Sequence, residues 1–81
     1  MKVRVRFFAQ LREASGTDRA EMDVPAGITA RHLAHLVAEK FIGLGPLLER
    51  AGIAVNGEWT AEEIQLFAGD EVSFLPPVSG G

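Results

Sequence analysis

Gly80 and Gly81 close this chain, set off by Pro76, Pro77, Val78 and Ser79. Residues of this kind at a chain end suit chemistry at the terminal carboxylate. The two prolines lack a backbone N–H and fix φ, so they stop sheet pairing and bias the backbone towards extended polyproline II. The four residues after them span about 13–14 Å when extended. Glycines without Cβ atoms fit a narrow channel and let a partner's backbone approach closely. The Gly81 carboxylate is therefore the candidate reacting group. Activation by ATP would make it an acyl-adenylate. A sulfur nucleophile would then leave a thiocarboxylate, and an amine would leave an amide. The pattern admits both. A frayed terminus can also carry two glycines, but strand, double proline, short spacer and chain end occur here together.

The chain has no cysteine. That excludes disulfides, a thiolate nucleophile and Cys-ligated metal. If the protein handles sulfur, the sulfur sits somewhere other than a thiol. A formal net charge of -3 argues against nucleic acid as the main partner. No apolar run is long enough to span a membrane and no signal-peptide pattern follows the basic N-terminus, so the cytoplasm is the expected location.

The other candidates for chemistry are weaker. His32 and His35 are three apart in a helical pattern, which puts them on one side, but no carboxylate at ligand spacing completes a metal site. Gly43 and Gly45 lack the Lys-Ser/Thr of a phosphate loop, and Asn56 is not a glycosylation site because Glu58 is neither Ser nor Thr. Trp59 is expected in the core or packed at its rim. Arg4 and Arg6 either pair with acidic groups on a partner or form a solvated strand face.

The elements that must position the tail follow from hydrophobic period. With 81 residues the chain is expected to form one domain, over 1–77, with 78–81 as an extended reactive tail. Residues 2–8 alternate: Val3, Val5 and Phe7 point one way, and Lys2, Arg4, Arg6 and Phe8 the other, as in a half-buried strand. A helical turn over 9–14 and a turn over 15–18 lead to a second strand at 20–24. The period then changes. Leu33, Leu36, Val37, Lys40 and Phe41 follow helical spacing, Thr29 is a good N-cap, and Ile28 with Leu33 forms a hydrophobic staple. Gly43 and Gly45 are expected to stop this helix, with another short helical turn over 46–51. Ile53 and Val55 make a third strand, Asn56-Gly57 a tight turn, and residues 58–60 a return strand. Residues 61–66 read as irregular or briefly helical, and 71–75 as the last strand. One main helix crossing a mixed sheet buries these faces economically. The expected fold is α+β, a β-grasp of ubiquitin-like topology, with the first and last strands parallel neighbours.

The stretch from Gly69 to Gly81, with Asp70-Glu71-Val72-Ser73-Phe74-Leu75-Pro76-Pro77 inside it, closely resembles the ending of the small, sulfur-carrying subunits of molybdopterin synthase. Residues 5–13, including Phe7-Phe8-Ala9-Gln10-Leu11-Arg12-Glu13, resemble that family's first strand and turn, and Ala54-Val55-Asn56 its third strand. Residues 17–50 match mainly in pattern.

The resemblance implies a cycle. An adenylyltransferase using ATP and Mg²⁺ would adenylate Gly81, and a sulfurtransferase system would convert it to a thiocarboxylate. The tail, with Val78, Ser79 and Gly80 threading the channel, would then enter a large synthase subunit in a heterotetramer. There it would give sulfur to a pterin precursor, precursor Z, to form the molybdopterin dithiolene. This chain would bind no cofactor and have no activity alone. The resemblance also implies a partner surface at Phe8, Arg12, Leu75, Pro76 and Pro77; Arg12 is favoured among the arginines because Leu11-Arg12-Glu13 lies in the matching stretch. Other readings stay open: a carrier for thiazole synthesis or tRNA thiolation, a ubiquitin-like modifier joined through Gly81 to lysines, or a structural β-grasp module. The stretch over 7–13 counts against thiazole carriers, and the terminal Gly-Gly counts against the purely structural reading.

Overall fold

In the computed structural model, which describes residues 1–76, eight elements follow one another: β1 (Lys2–Phe7), α1 (Ala9–Ser15), β2 (Arg19–Asp23), α2 (Ala30–Lys40), α3 (Gly45–Arg50), β3 (Gly52–Val55), β4 (Glu58–Thr60) and β5 (Glu71–Leu75). The strands form one sheet in the order β2-β1-β5-β3-β4. Its central pair, β1 and β5, is parallel, with Val5 beside Val72 and Phe7 beside Phe74, and the other pairings are antiparallel. This is the expected β-grasp. A sheet-to-sheet parallel pair needs a long crossover, and everything between β1 and β5 serves as one.

The inner face of the sheet carries Val3, Val5 and Phe7 from β1, Ile53 and Val55 from β3, and Val72 and Phe74 from β5, all buried in one core cluster. Leu33 and Val37 of α2, Leu11 of α1, and Leu48 of α3 close it from the other side. Among the described residues no polar or charged residue is buried, so the cluster holds by apolar area at about 25 cal/mol per Å².

Each end of α2 has a physical cause. The Thr29 Oγ1 accepts the His32 N–H at 3.2 Å, and the Ala30 and Arg31 amides donate to the carbonyls of Ile64 and Glu62 at 3.0 and 2.8 Å. The irregular segment 61–67 thus satisfies amides that a helix start leaves open. It is anchored by the fully buried Leu66 and by a bridge between Gln65 and Thr29. The helix stops earlier than its glycines suggest. Phe41 is already extended, and its ring packs edge-on against Phe7 at 5.3 Å. Gly43 has a φ of +97 in the link, whereas Gly45 is the first residue of α3 rather than a stop.

The β3–β4 turn follows its sequence signal. Asn56 and Gly57 have φ of +52 and +85, the left-handed pair that a two-residue hairpin of matching twist requires. The Asn56 side chain also holds the start of β5. Its Oδ1 accepts the Glu71 N–H at 3.0 Å, and its Nδ2 donates to Asp70 at 3.0 Å.

Candidate functional site

Of the residues expected to act, Pro77, Val78, Ser79, Gly80 and Gly81 lie outside the described residues. What the structure describes is the platform from which they depart. The β5 strand runs through the centre of the sheet and ends at Leu75, so the tail starts from the most firmly paired part of the fold.

Strand alternation sends every second side chain to the outer face, away from the helices. Register places these side chains in rows. Arg6 of β1 lies between Arg19 of β2 and Ser73 of β5, and Ser73 lies beside Ala54, which faces Trp59 of β4. In the next row, towards the tail, Leu75 faces Gly52. Phe8 follows β1 in extended conformation, as the N-cap of α1, and the Arg6 guanidinium lies 5.0 Å from its ring centroid. Phe8 and Leu75 are half-buried, and neither packs against the core cluster. Pro76 is half-buried at the root of the tail.

Arg12 is exposed on α1, one turn from Phe8, and the Phe8 carbonyl accepts the backbone N–H groups of Leu11 and Arg12 at 3.0 and 3.5 Å. The residue that forces this corner is Ala9, whose φ of +49 is unusual for a side chain with a Cβ. It turns the chain sharply from β1 into α1, so that Phe8 stays on the outer face while Leu11 is buried.

Of the two places the sequence allowed Trp59, the core is excluded: it is 71 % exposed on the outer face. Its ring lies over Gly52, where an added Cβ would stand 2.6 Å from Cζ3. Gly52 therefore lets the indole lie flat on the sheet. The signal was in the sequence: Gly52 and Ala54 alternate with the inward Ile53 and Val55, leaving small residues outside for a large one to cover.

The outer face thus has three zones. An apolar zone of Phe8, Leu75 and Trp59 lies towards the tail. A groove of about 510 Å³ beside it is lined by Arg4, Arg6, Arg19, Glu21 and Glu71. Along the far edge run Lys2 and Glu21, paired at 3.4 Å.

The helical side offers less. A depression of about 390 Å³ is lined by Arg31, His35, Glu49 and Glu62 among others, and Arg31 is paired with Glu62 at 3.0 Å. His32 and His35 are both exposed on α2. Among the described residues no three His, Asp or Glu side chains are placed to hold a metal, and no helix is long and apolar enough to cross a membrane.

A family model for the ThiS family matches residues 5–81. The chain belongs to the ThiS family. Within it, a curated relative is the molybdopterin synthase sulfur carrier subunit of Drosophila yakuba, 39% identical, covering 100% of this chain and 92% of the relative. Among solved structures, SAMP1 of Haloferax volcanii, a small archaeal modifier protein, superposes with a TM-score of 0.89 at 26% identity over 100% of both chains. The complex of subunits 1 and 2 of the molybdopterin-converting factor from Helicobacter pylori contains a chain with a TM-score of 0.70 at 28% identity, again over 100% of both chains.

Proposed function

We propose that this protein is a sulfur carrier for molybdopterin synthesis, acting through the Gly81 carboxylate. One observation carries the reading: the family match runs to residue 81, so the terminal Gly-Gly belongs to the matched pattern. The composition fits it. With no cysteine in the chain, sulfur bound covalently as a nucleophile has the terminal acyl group as its seat. The carboxylate oxygen attacks the α-phosphorus of ATP, releasing pyrophosphate and giving an acyl-adenylate. Sulfide sulfur then adds to the acyl carbon, and AMP leaves. Within the large subunit, which supplies the catalytic side chains, the thiocarboxylate sulfur of the carrier bonds to a carbon of precursor Z, and water then cleaves the acyl–sulfur bond, leaving the sulfur on the pterin and returning the Gly81 carboxylate. ATP and Mg²⁺ belong to the adenylyltransferase, and a sulfurtransferase delivers the sulfur. The role of this chain is to present Gly81: Val78, Ser79 and Gly80 thread the channel, while Phe8, Arg12, Leu75, Pro76 and Pro77 dock the domain at its mouth.

The likeness to a small archaeal modifier protein favours a second reading, in which a lysine amine displaces AMP and Gly81 ends in an amide. Both begin with the same adenylate.

Mass spectrometry of the intact protein separates them. With the adenylyltransferase, ATP, Mg²⁺ and a sulfur source from the same organism, the expected gain is that of one oxygen replaced by sulfur, located on Gly81 by fragmentation. Deleting Gly81 should abolish sulfur transfer with stability unchanged. Adding one residue after it should do the same, since it displaces the reacting carbon by about 3.5 Å and misplacement by about 1 Å can cost about a hundredfold in rate. An extended protein that donates sulfur normally without being trimmed refutes the carrier reading. Accumulation of lysine conjugates with no thiocarboxylate puts the modifier reading in its place.

A further inference from the structure

Arg6 is the charge in the outer groove that the fold leaves unanswered. Arg4 lies 3.9 Å from Glu71, Arg19 lies 3.6 Å from Asp18, and Glu21 lies 3.4 Å from Lys2. Among the described residues Arg6 has neither an ion pair nor a side-chain hydrogen bond, and its Nε is shielded from solvent without a partner. Its cross-strand neighbour is Arg19, and like charges directly opposite on a sheet destabilise it. The free protein holds this arrangement at a cost that an incoming anion would remove.

We propose that Arg6, flanked by Arg19, is a recognition site for a carboxylate side chain on the protein that receives the tail. The guanidinium is oriented before binding, by its strand and by the Phe8 ring 5.0 Å from it, so little side-chain freedom is lost when it pairs. It adjoins β5 at Ser73, two residues from Leu75, so a protein gripping the tail also covers Arg6. The surroundings select the anion. Glu21 and Glu71 line the same groove and repel a polyanion such as nucleic acid. The neighbouring Phe8, Leu75 and exposed Trp59 require an apolar counterpart. The matching surface is therefore an acidic side chain ringed by apolar residues. The site rests on the carrier reading for the identity of its partner, the large synthase subunit.

The test is calorimetric binding of the full-length chain to the large subunit of the same organism, at low and high salt. Arg6→Gln should weaken binding roughly 10- to 100-fold, the range for a lost charge-assisted hydrogen bond, and should flatten its salt dependence. Arg6→Lys, a charge without the planar fork, should fall between the two. Arg50→Gln, on the exposed surface of α3, should bind as the unchanged protein does. Arg6→Gln should melt no lower than the parent, because it removes a like-charge contact; a merely structural arginine would lower the melting temperature. Unchanged binding by Arg6→Gln overturns the site, as does failure of the unchanged protein to bind the large subunit. A single-stranded oligonucleotide that shifts the Arg6 Nε–H resonance where the large subunit does not also overturns it. Intact mass, read separately, distinguishes the two proposals. Arg6-dependent binding without sulfur gain refutes the carrier reading and leaves the site standing. Sulfur gain with Arg6-independent binding refutes the site alone.

Discussion

The two faces of the sheet are built from the same strands and obey opposite rules. On the inner face Val3, Val5, Phe7, Val72 and Phe74 are sealed under three helices. On the outer face Arg4, Arg6, Leu75 and Trp59 lie outside the core cluster and carry both charge and apolar surface. A residue and its strand neighbour therefore have unlike tasks. Phe74 is fully buried in the core, while Leu75 lies outside it, half-buried at the strand end. One strand can thus give one side chain to the core and the next to the outer surface without either constraining the other, since pleating separates them by 180°.

Mutations that hit one face at a time can break this comparison. The largest effect is expected for Phe74→Ala, which empties a fully buried site in the central strand and should lower unfolding free energy by about 3–5 kcal/mol in a urea titration. A loss below about 1 kcal/mol would show that the inner face is not the main source of stability. Asn56→Ala should come next. It removes two side-chain hydrogen bonds to the start of β5 and leaves a left-handed φ on a residue ill suited to it, for a loss of about 2 kcal/mol. Hydrogen exchange should rise first at the amides of β3 and β5.

Ala9→Gly acts at the corner between the two faces. The positive φ of Ala9 should make the substitution stabilising by up to about 1 kcal/mol, read as a higher melting temperature. A lower one would show that the methyl group contributes packing that outweighs the backbone strain. The smallest stability change is expected for Leu75→Asp, within about 1 kcal/mol, since Leu75 packs outside the core. The same change should weaken binding to the adenylyltransferase or large subunit, because an unpaired charge is costly at an apolar contact. Phe8→Asp should behave alike, and there the new carboxylate would lie beside Arg6 and support the fold. Large unfolding by both variants would move these side chains into the core; unchanged binding by both would remove them from the docking surface.

Much of this was legible in the residues. Alternation in residues 2–8 fixes which side chains of β1 share a face, and Thr29, Ile28 and Leu33 mark the start of α2 by local chemistry alone. Asn56-Gly57 writes its own turn, because the backbone preference of two residues suffices. The terminal Gly-Gly, the double proline and the absence of cysteine make the Gly81 carboxylate the candidate reacting group before any fold is known.

Other features required the chain to be brought together. The C-cap of α2 packs against a residue far away in sequence: the ring of the extended Phe41 lies edge-on to Phe7, 34 positions earlier. Trp59 is outside because Gly52 and Ala54 lie under it across the hairpin, a relation of register rather than composition. Arg6 looks like any strand arginine in the sequence. Only the pairing of β1 with β2 sets it against Arg19, and among the described residues Arg4, Arg19 and Glu21 have ion-pair partners while Arg6 has none. Local preference acts through a few adjacent residues, and charge and packing act through space; the Asn56-Gly57 turn belongs to the first, and the places of Trp59 and Arg6 on the outer face to the second.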